Sequence, residues 1–94
     1  FETDLFWEQT RQAFSNTVVI LSAAEAKPEH IVRMTWFITS RKEYLEQQKE
    51  IGKAYREIIG KHYPAMSVLV VSELIEEAAK VEIETTAVIP EIPR

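Results

Sequence analysis

Cysteine is absent from the 94-residue chain, and glycine occurs only at positions 52 and 60. Without cysteine, neither a disulfide nor thiolate chemistry is possible. The sequence also lacks the run of about 18 apolar residues that a transmembrane helix needs, and it lacks a basic-then-apolar signal peptide at its start. These absences predict a cytoplasmic protein. The chain starts with Phe1 instead of Met, which indicates a processed or incomplete N-terminus.

A basic surface is missing as well. The formal net charge is −4, and the lysines and arginines are scattered along the chain. Because nucleic-acid binders carry a positive stripe or patch, the charge pattern argues against nucleic-acid binding. The hydrophobic content of 46% is that of a folded protein, and the length predicts one domain over residues 1–94.

The first element predicted by the sequence is an amphipathic helix over about residues 5–24. Apolar side chains recur at helical spacing at Phe6, Ala13, Phe14, Val18 and Leu21. The opposite, polar side of this helix is predicted to carry Glu8, Gln9, Arg11 and Gln12. Asp4 is a candidate N-cap, and the Lys27-Pro28 pair prevents the helix from continuing.

The rest of the chain predicts a strand over 30–39, a helix over 41–60 and strands over 66–74 and 80–90. Ser40 is the candidate N-cap of that helix, and Gly60 is its C-terminal signal. Residues 75–79 fit either a helical turn or a loop. The order α-β-α-β-β predicts an α/β or α+β sandwich with helices against a sheet. Three strands are few for two long helices, so strands before Phe1 or neighbouring subunits are expected to complete the core.

Two carboxylates are the clearest candidates for chemistry. Glu82 and Glu84 alternate with apolar residues and so share one strand face, about 6.5–7 Å apart. They could share a proton as an acid/base pair, or they could simply be a solvated strand face. His30 and His62 show no metal-ligand spacing, so neither a metal nor another cofactor is predicted.

Four segments, in order, resemble the Rid family of reactive-intermediate deaminases, also called YjgF-like proteins. The family's first helix is similar to EQTRQAFSNTVVIL, and its next strand is similar to HIVRMTWFIT. The family's P-A-R-S segment is similar to YPAMSVLVVSEL, and its V-E-I-E-A-I-A ending is similar to KVEIETTAVIP. The resemblance implies a chorismate-mutase-like α+β sandwich, with helices on one face of a mixed sheet. It also implies a homotrimer with clefts between subunits, and a family N-terminal β-hairpin that this sequence lacks.

The same resemblance implies a function. Active Rid proteins hydrolyse enamines and imines, such as 2-aminoacrylate, to a ketoacid and ammonia. Their P-A-R-S arginine holds the substrate carboxylate through paired charged hydrogen bonds, and Met66 stands at that position here. Glu82 matches the first Glu of the family's E-I-E, which orients the attacking water. The resemblance therefore makes Glu82 the expected catalytic residue, and Met66, Ser67 and Tyr63 the expected ligand-binding residues.

Three functions follow from this pattern of retained and replaced residues. The first is a trimeric hydrolase that binds a small metabolite and acts on an enamine or imine without the usual carboxylate. The second is a non-catalytic ligand-binding or regulatory trimer. The third, disfavoured by the acidic charge, is an endoribonuclease or translation inhibitor. Other polar contacts to a ligand could come from Arg33, His62 and Tyr63.

Overall fold

The computed structural model describes residues 4–90 and contains three α-helices, one short 3₁₀ helix and three strands in that range. The helices are α1 (Phe6–Ala23), α2 (Arg41–Glu46) and α3 (Gln48–Ile58), with the 3₁₀ turn at Pro28–His30. The strands are β1 (Ile31–Ile38), β2 (Ala65–Val70) and β3 (Val81–Ala87). No helix in residues 4–90 is both long and apolar enough to cross a bilayer.

The three strands form one mixed sheet in the order β2-β1-β3. β1 runs parallel to β2, to which α2 and α3 connect it, and antiparallel to β3. The core lies between one face of this sheet and the helices, where Phe14 of α1 packs edge-on against Trp36 of β1 and Tyr55 of α3. The predicted α+β class, with helices on one face of a mixed sheet, is confirmed.

The strand register separates the two faces of the sheet. Trp36 aligns with Val68 and Ile83 on the helix-covered face, where all three are buried or partly buried. The next row aligns Phe37 with Leu69 and Glu82 on the opposite face. No helix within residues 4–90 covers that opposite face, which we call the open face.

The helix boundaries were predicted in part. The Ser40 Oγ accepts the Glu43 N–H at 3.1 Å, and Gly60 has a φ of 103° that favours glycine, so both end signals are confirmed. The Asp4 N-cap is wrong, because Leu5 occupies the N-cap position of α1. Instead, the Gln47 side chain accepts the Trp7 N–H at 2.9 Å, from the point where the predicted second helix breaks into α2 and α3.

The last two strands are shorter than predicted. β2 ends at Val70, and residues 71–80 form an irregular loop. Within the 75–79 segment, for which a helical turn or a loop was expected, the loop contains one hydrogen-bonded turn, in which the Ala79 N–H donates to the Glu76 carbonyl at 3.0 Å. β3 ends at Ala87, and its alternating burial confirms the predicted two-faced strand. The loop returns to the sheet at Lys80, whose carbonyl accepts the Thr39 N–H at 3.1 Å.

Candidate functional site

A cavity of about 840 Å³ lies where the irregular loop meets the open face of the sheet. The sheet contributes Phe37 and Glu82, Thr39 follows the end of β1, and residues 71–75 and 77–80 form most of the remaining wall. The acidic side chains of the lining are Asp4, Glu73, Glu77 and Glu82. Apolar side chains of Phe37, Val71, Leu74 and Ala78 line the same cavity. The wall is thus partly apolar and partly acidic.

Lys80 is the one basic residue among the side chains that line the cavity. Its Nζ lies 3.3 Å from each carboxylate oxygen of Glu43, a residue of α2 that does not line the cavity. Both side chains of this pair are about one-third exposed, so water screens the attraction between them. The Lys80 ammonium group nevertheless forms its ion pair with Glu43, a carboxylate that is not part of the cavity lining.

The Gln9 side chain of α1 forms hydrogen bonds to the backbone of the irregular loop that lines the cavity. Its Nε2 donates to the Ala78 carbonyl at 3.0 Å, and its Oε1 accepts the Lys80 N–H at 2.7 Å. The predicted position of Gln9 on the polar side of α1 is wrong, because the residue is 0% exposed. The sequence signal at this position was the similarity of EQTRQAFSNTVVIL to the family's first helix, since periodicity alone places a glutamine on the polar side. Gln9 therefore positions two residues of the cavity wall.

The two predicted carboxylates share the open face but differ in their surroundings. Glu82 pairs in register with Phe37 and lines the cavity. Glu84 pairs with Thr35 and does not line it. Both carboxylates are exposed, which favours the solvated-face interpretation over a buried proton-sharing pair.

The predicted ligand-binding residues lie in or just before β2, at the edge of the sheet opposite β3. Ser67 of β2 aligns with Thr35 on the open face, whereas Met66 aligns with Met34 on the helix-covered face and is 39% exposed at the sheet edge. Tyr63 stacks on Tyr55, with ring centres 5.4 Å apart. None of these three lines the cavity at Glu82. Two strand spacings, about 10 Å, separate β2 from β3, so a single chain does not bring the predicted residues together.

The segment that leads into β2 is fixed by polar contacts. The Tyr55 hydroxyl donates to the His62 carbonyl, and the His62 Nε2 lies 2.7 Å from the Ile31 carbonyl. A carbonyl only accepts, so this ring nitrogen donates and is not free to hold a ligand. Arg33 was another expected polar contact to a ligand. It is exposed on the open face, beside Ala65 and Thr86.

Tyr55 gives the fold a dependence on alkaline pH. Burial, and secondarily the charge of Tyr63, raise the pKa of Tyr55 to about 12. Below pH 10 the tyrosine is protonated in both states, and its full contribution to stability is present. That contribution falls away as pH rises from 10 through 12, because the unfolded chain ionises first. Urea denaturation at pH 8–12 measures the loss.

Tyr55→Phe is the control, since it keeps the ring but cannot ionise. We expect its stability to fall less steeply than that of the wild type between pH 10 and 12. Parallel curves for the two proteins would assign the alkaline loss to other groups.

No group of three or more metal-ligating carboxylates or imidazoles comes together within residues 4–90. The residues that the structure describes offer a cavity with hydrogen-bonding carboxylates, and no preformed metal centre. The arrangement at Glu82 can accept protons from water or from a ligand that carries N–H groups.

Comparisons with known proteins point to one family. The sequence profile of the family described as Endoribonuclease L-PSP matches residues 1–89. A search of functionally curated proteins finds no match to this chain. The fold, in contrast, has many solved counterparts.

Three solved structures illustrate the similarity. Escherichia coli TdcF, crystallised with bound serine, is 31% identical, with a TM-score of 0.73 over 89% of this chain and 65% of that one. Rv2704 from Mycobacterium tuberculosis, of the YjgF/YER057c/UK114 family, is 29% identical, with a TM-score of 0.70 over 85% and 64%. RidA from the Antarctic bacterium Psychrobacter sp. PAMC 21119 is 25% identical, with a TM-score of 0.76 over 95% and 67%.

The match covers most of this chain but not of its relatives. The chain spans about 61–67% of the length of the first solved structures that it resembles. Within that span, the backbones superpose with TM-scores of 0.70–0.77. The chain therefore belongs to the Endoribonuclease L-PSP family, which is the family of the YjgF and Rid proteins.

Proposed function

We propose that this chain forms a trimer that binds a small metabolite in the cleft between subunits and hydrolyses an enamine or imine that lacks a carboxylate. The observation that carries the proposal is Met66, at the exposed edge of β2, in place of the P-A-R-S arginine. A thioether cannot replace the paired charged hydrogen bonds of a guanidinium, each of which contributes about 1.5–3 kcal/mol.

The separation of the expected residues supports assembly. Glu82 lies on one edge strand, whereas Met66 and Ser67 lie on the other, so a cleft that uses all three needs a second chain. The edge strand β2 also exposes apolar surface, with Leu69 49% and Val70 56% exposed. Surfaces of this kind are commonly covered by a partner. The trimer and the cytoplasmic location are part of the proposal.

The proposed chemistry needs no cofactor. Water adds to the carbon of the C=N bond, the electron pair of that bond moves to nitrogen, and Glu82 accepts the water proton. Glu82 returns that proton to the nitrogen, which gives a neutral carbinolamine. The carbinolamine then collapses to a carbonyl as its hydroxyl proton passes to the nitrogen, and the C–N bond breaks to release ammonia. Ser67 donates a hydrogen bond to the ligand, and Met66 lines the pocket. The serine bound to the E. coli relative supports a ligand of amino-acid size.

The test couples the full-length protein, from its confirmed start, to a dehydratase that produces 2-aminoacrylate. Ketoacid release is followed for the wild type, Met66→Arg and the apolar control Met66→Leu. We expect no acceleration by the wild type or Met66→Leu, and about a 10–100-fold gain for Met66→Arg from the restored carboxylate contact. Acceleration by the wild type would contradict the inference from Met66.

Two other functions are distinguished by further measurements. A stable trimer that binds metabolites, but accelerates neither 2-aminoacrylate nor a carboxylate-free imine, is the non-catalytic ligand-binding protein. The endoribonuclease function carried in the family's description is disfavoured by the net charge of −4. Salt-sensitive RNA binding at micromolar protein would support it.

A further inference from the structure

We propose that Gln9 is a positioning residue, which holds the irregular loop in the place where it forms the binding wall of the cavity beside Glu82. Gln9 does not line the cavity itself. It acts through the backbone of Ala78 and Lys80, which do line it. The effect of Gln9 on turnover rests on the proposed function, whereas its effect on the loop does not.

Both ends of the irregular loop are fixed at the end of β1. The Val71 N–H donates to the Ile38 carbonyl at 2.8 Å, and the Thr39 N–H donates to the Lys80 carbonyl at 3.1 Å. A compact surface loop whose ends lie this close together has the geometry of an Ω loop. The segment between the ends can therefore move away from the cavity without breaking the pairing of the strands.

Little buried surface holds the middle of this loop. Residues 72–78 are exposed except for Leu74, which is partly buried, and the Ile75 side chain is completely exposed. Segments with few buried apolar contacts open at a low cost in free energy. Contacts from the helices to the loop therefore decide how firmly it stays in place.

One such contact is the ion pair of Lys80 with Glu43 of α2, whose side chains are about one-third exposed and screened by water. Another is the pair of hydrogen bonds of Gln9, which donates to the Ala78 carbonyl at 3.0 Å and accepts the Lys80 N–H at 2.7 Å. Gln9 is 0% exposed, so water does not replace these bonds while the loop is in place. Gln9 is therefore the stronger anchor of the two.

The anchor acts on one wall of the cavity. Glu82 lies within β3 and pairs with Phe37 of β1, so the sheet holds it in position. Ala78 and Lys80 precede β3 and are held by Gln9. Loss of the Gln9 hydrogen bonds should therefore displace the loop wall and leave Glu82 in place. A ligand then binds less tightly, but a bound ligand still meets the same carboxylate.

Amide hydrogen exchange of the full-length protein, followed by NMR, tests the effect on the loop. The Ala79 N–H reports on the loop, and the Ile59 N–H, which donates to the Tyr55 carbonyl at 2.8 Å, reports on the helices. In Gln9→Leu we expect Ala79 to exchange within about tenfold of the unfolded-chain rate, while Ile59 stays protected at least about a hundredfold. The matched control Gln12→Leu should keep both amides protected, because Gln12 is exposed.

Two outcomes of the exchange experiment would overturn the proposal. If Ala79 stays protected in Gln9→Leu, the loop is held without Gln9. If Ala79 and Ile59 both lose their protection, Gln9 supports the whole fold and does not position the loop in particular.

Gln9→Glu tests whether a conservative variant restores the anchor. A protonated carboxyl group keeps both bonds, since its carbonyl oxygen accepts the Lys80 N–H and its O–H donates to the Ala78 carbonyl. An ionised carboxylate only accepts, and burial disfavours its charge. Relative to the wild type at the same pH, we expect equal protection of Ala79 at about pH 5 and at least about tenfold less at about pH 9. Equal protection at both pH values would contradict the proposal.

Steady-state kinetics test the positioning role itself. The substrate is the carboxylate-free imine that an amine oxidase forms from 3-methylbutylamine, and aldehyde release is followed. For Gln9→Leu we expect KM to rise by about fivefold or more, with kcat within about twofold of the wild type. An unchanged KM would overturn the positioning role. A wild type without turnover would contradict the proposed function, and the exchange results would then still decide whether Gln9 holds the loop.

Discussion

Glu82→Gln should lower imine hydrolysis by about 100-fold or more, because the amide keeps the shape of the side chain but cannot accept the water proton. Glu82 is exposed and pairs across the strand with Phe37, so we expect assembly and thermal stability to stay unchanged. The measurement is kcat on a carboxylate-free imine, with ketone or aldehyde release followed directly. Size-exclusion chromatography checks the oligomer.

Glu84→Gln is the matched control for this prediction. It lies two residues along the same strand and on the same open face, but outside the cavity. We expect it to keep wild-type activity. A Glu82→Gln protein with unchanged kcat would refute the role of Glu82, and equal losses in the two variants would point to the charge of the face rather than to one carboxylate.

Gln9→Leu should destabilise the fold by about 2–4 kcal/mol, since it leaves the Lys80 N–H and the Ala78 carbonyl without their partner. Leucine is close to glutamine in volume, so packing changes less than hydrogen bonding does. The measurement is the free energy of unfolding in urea.

Gln12→Leu is the matched control, because it makes the same substitution at an exposed position of the same helix. The Gln12 amide donates to the Asn16 side chain at 2.9 Å, in an exposed pair. We expect its loss to change stability by no more than about 0.5 kcal/mol. A Gln9→Leu protein as stable as Gln12→Leu would mean that water or a shifted loop replaces both hydrogen bonds.

The parts of the fold that follow from local pattern were predictable from the sequence. The helical spacing of apolar residues around Phe14 predicted α1. The alternation of apolar and polar residues from Val81 to Ile83 predicted the two faces of β3, with Glu82 on the face opposite Val81 and Ile83. Ser40 and Gly60 act through their own side chain or backbone, so their roles were also visible. The family itself came from motifs, not from periodicity.

The parts that depend on distant partners were not predictable in this way. Gln9 is buried because its partners are the backbone of residues 78 and 80, about 70 positions away. The N-cap role expected of Asp4 is taken by the side chain of Gln47, which periodicity cannot pair with α1. For the same reason, the sequence named the expected site residues but not their separation on opposite edge strands.

The pairing of β1 also has a consequence for how quickly the chain folds. Every β1–β2 pair joins residues 32 positions apart, and the β1–β3 pairs join residues 43 to 56 positions apart, from Ile38 with Val81 to Ile31 with Ala87. No strand pair in residues 4–90 is a local hairpin. Long loops must therefore close before any sheet hydrogen bond forms, which slows folding. We expect the helices to form first, and the arrival of β3 at the central strand to limit the folding rate.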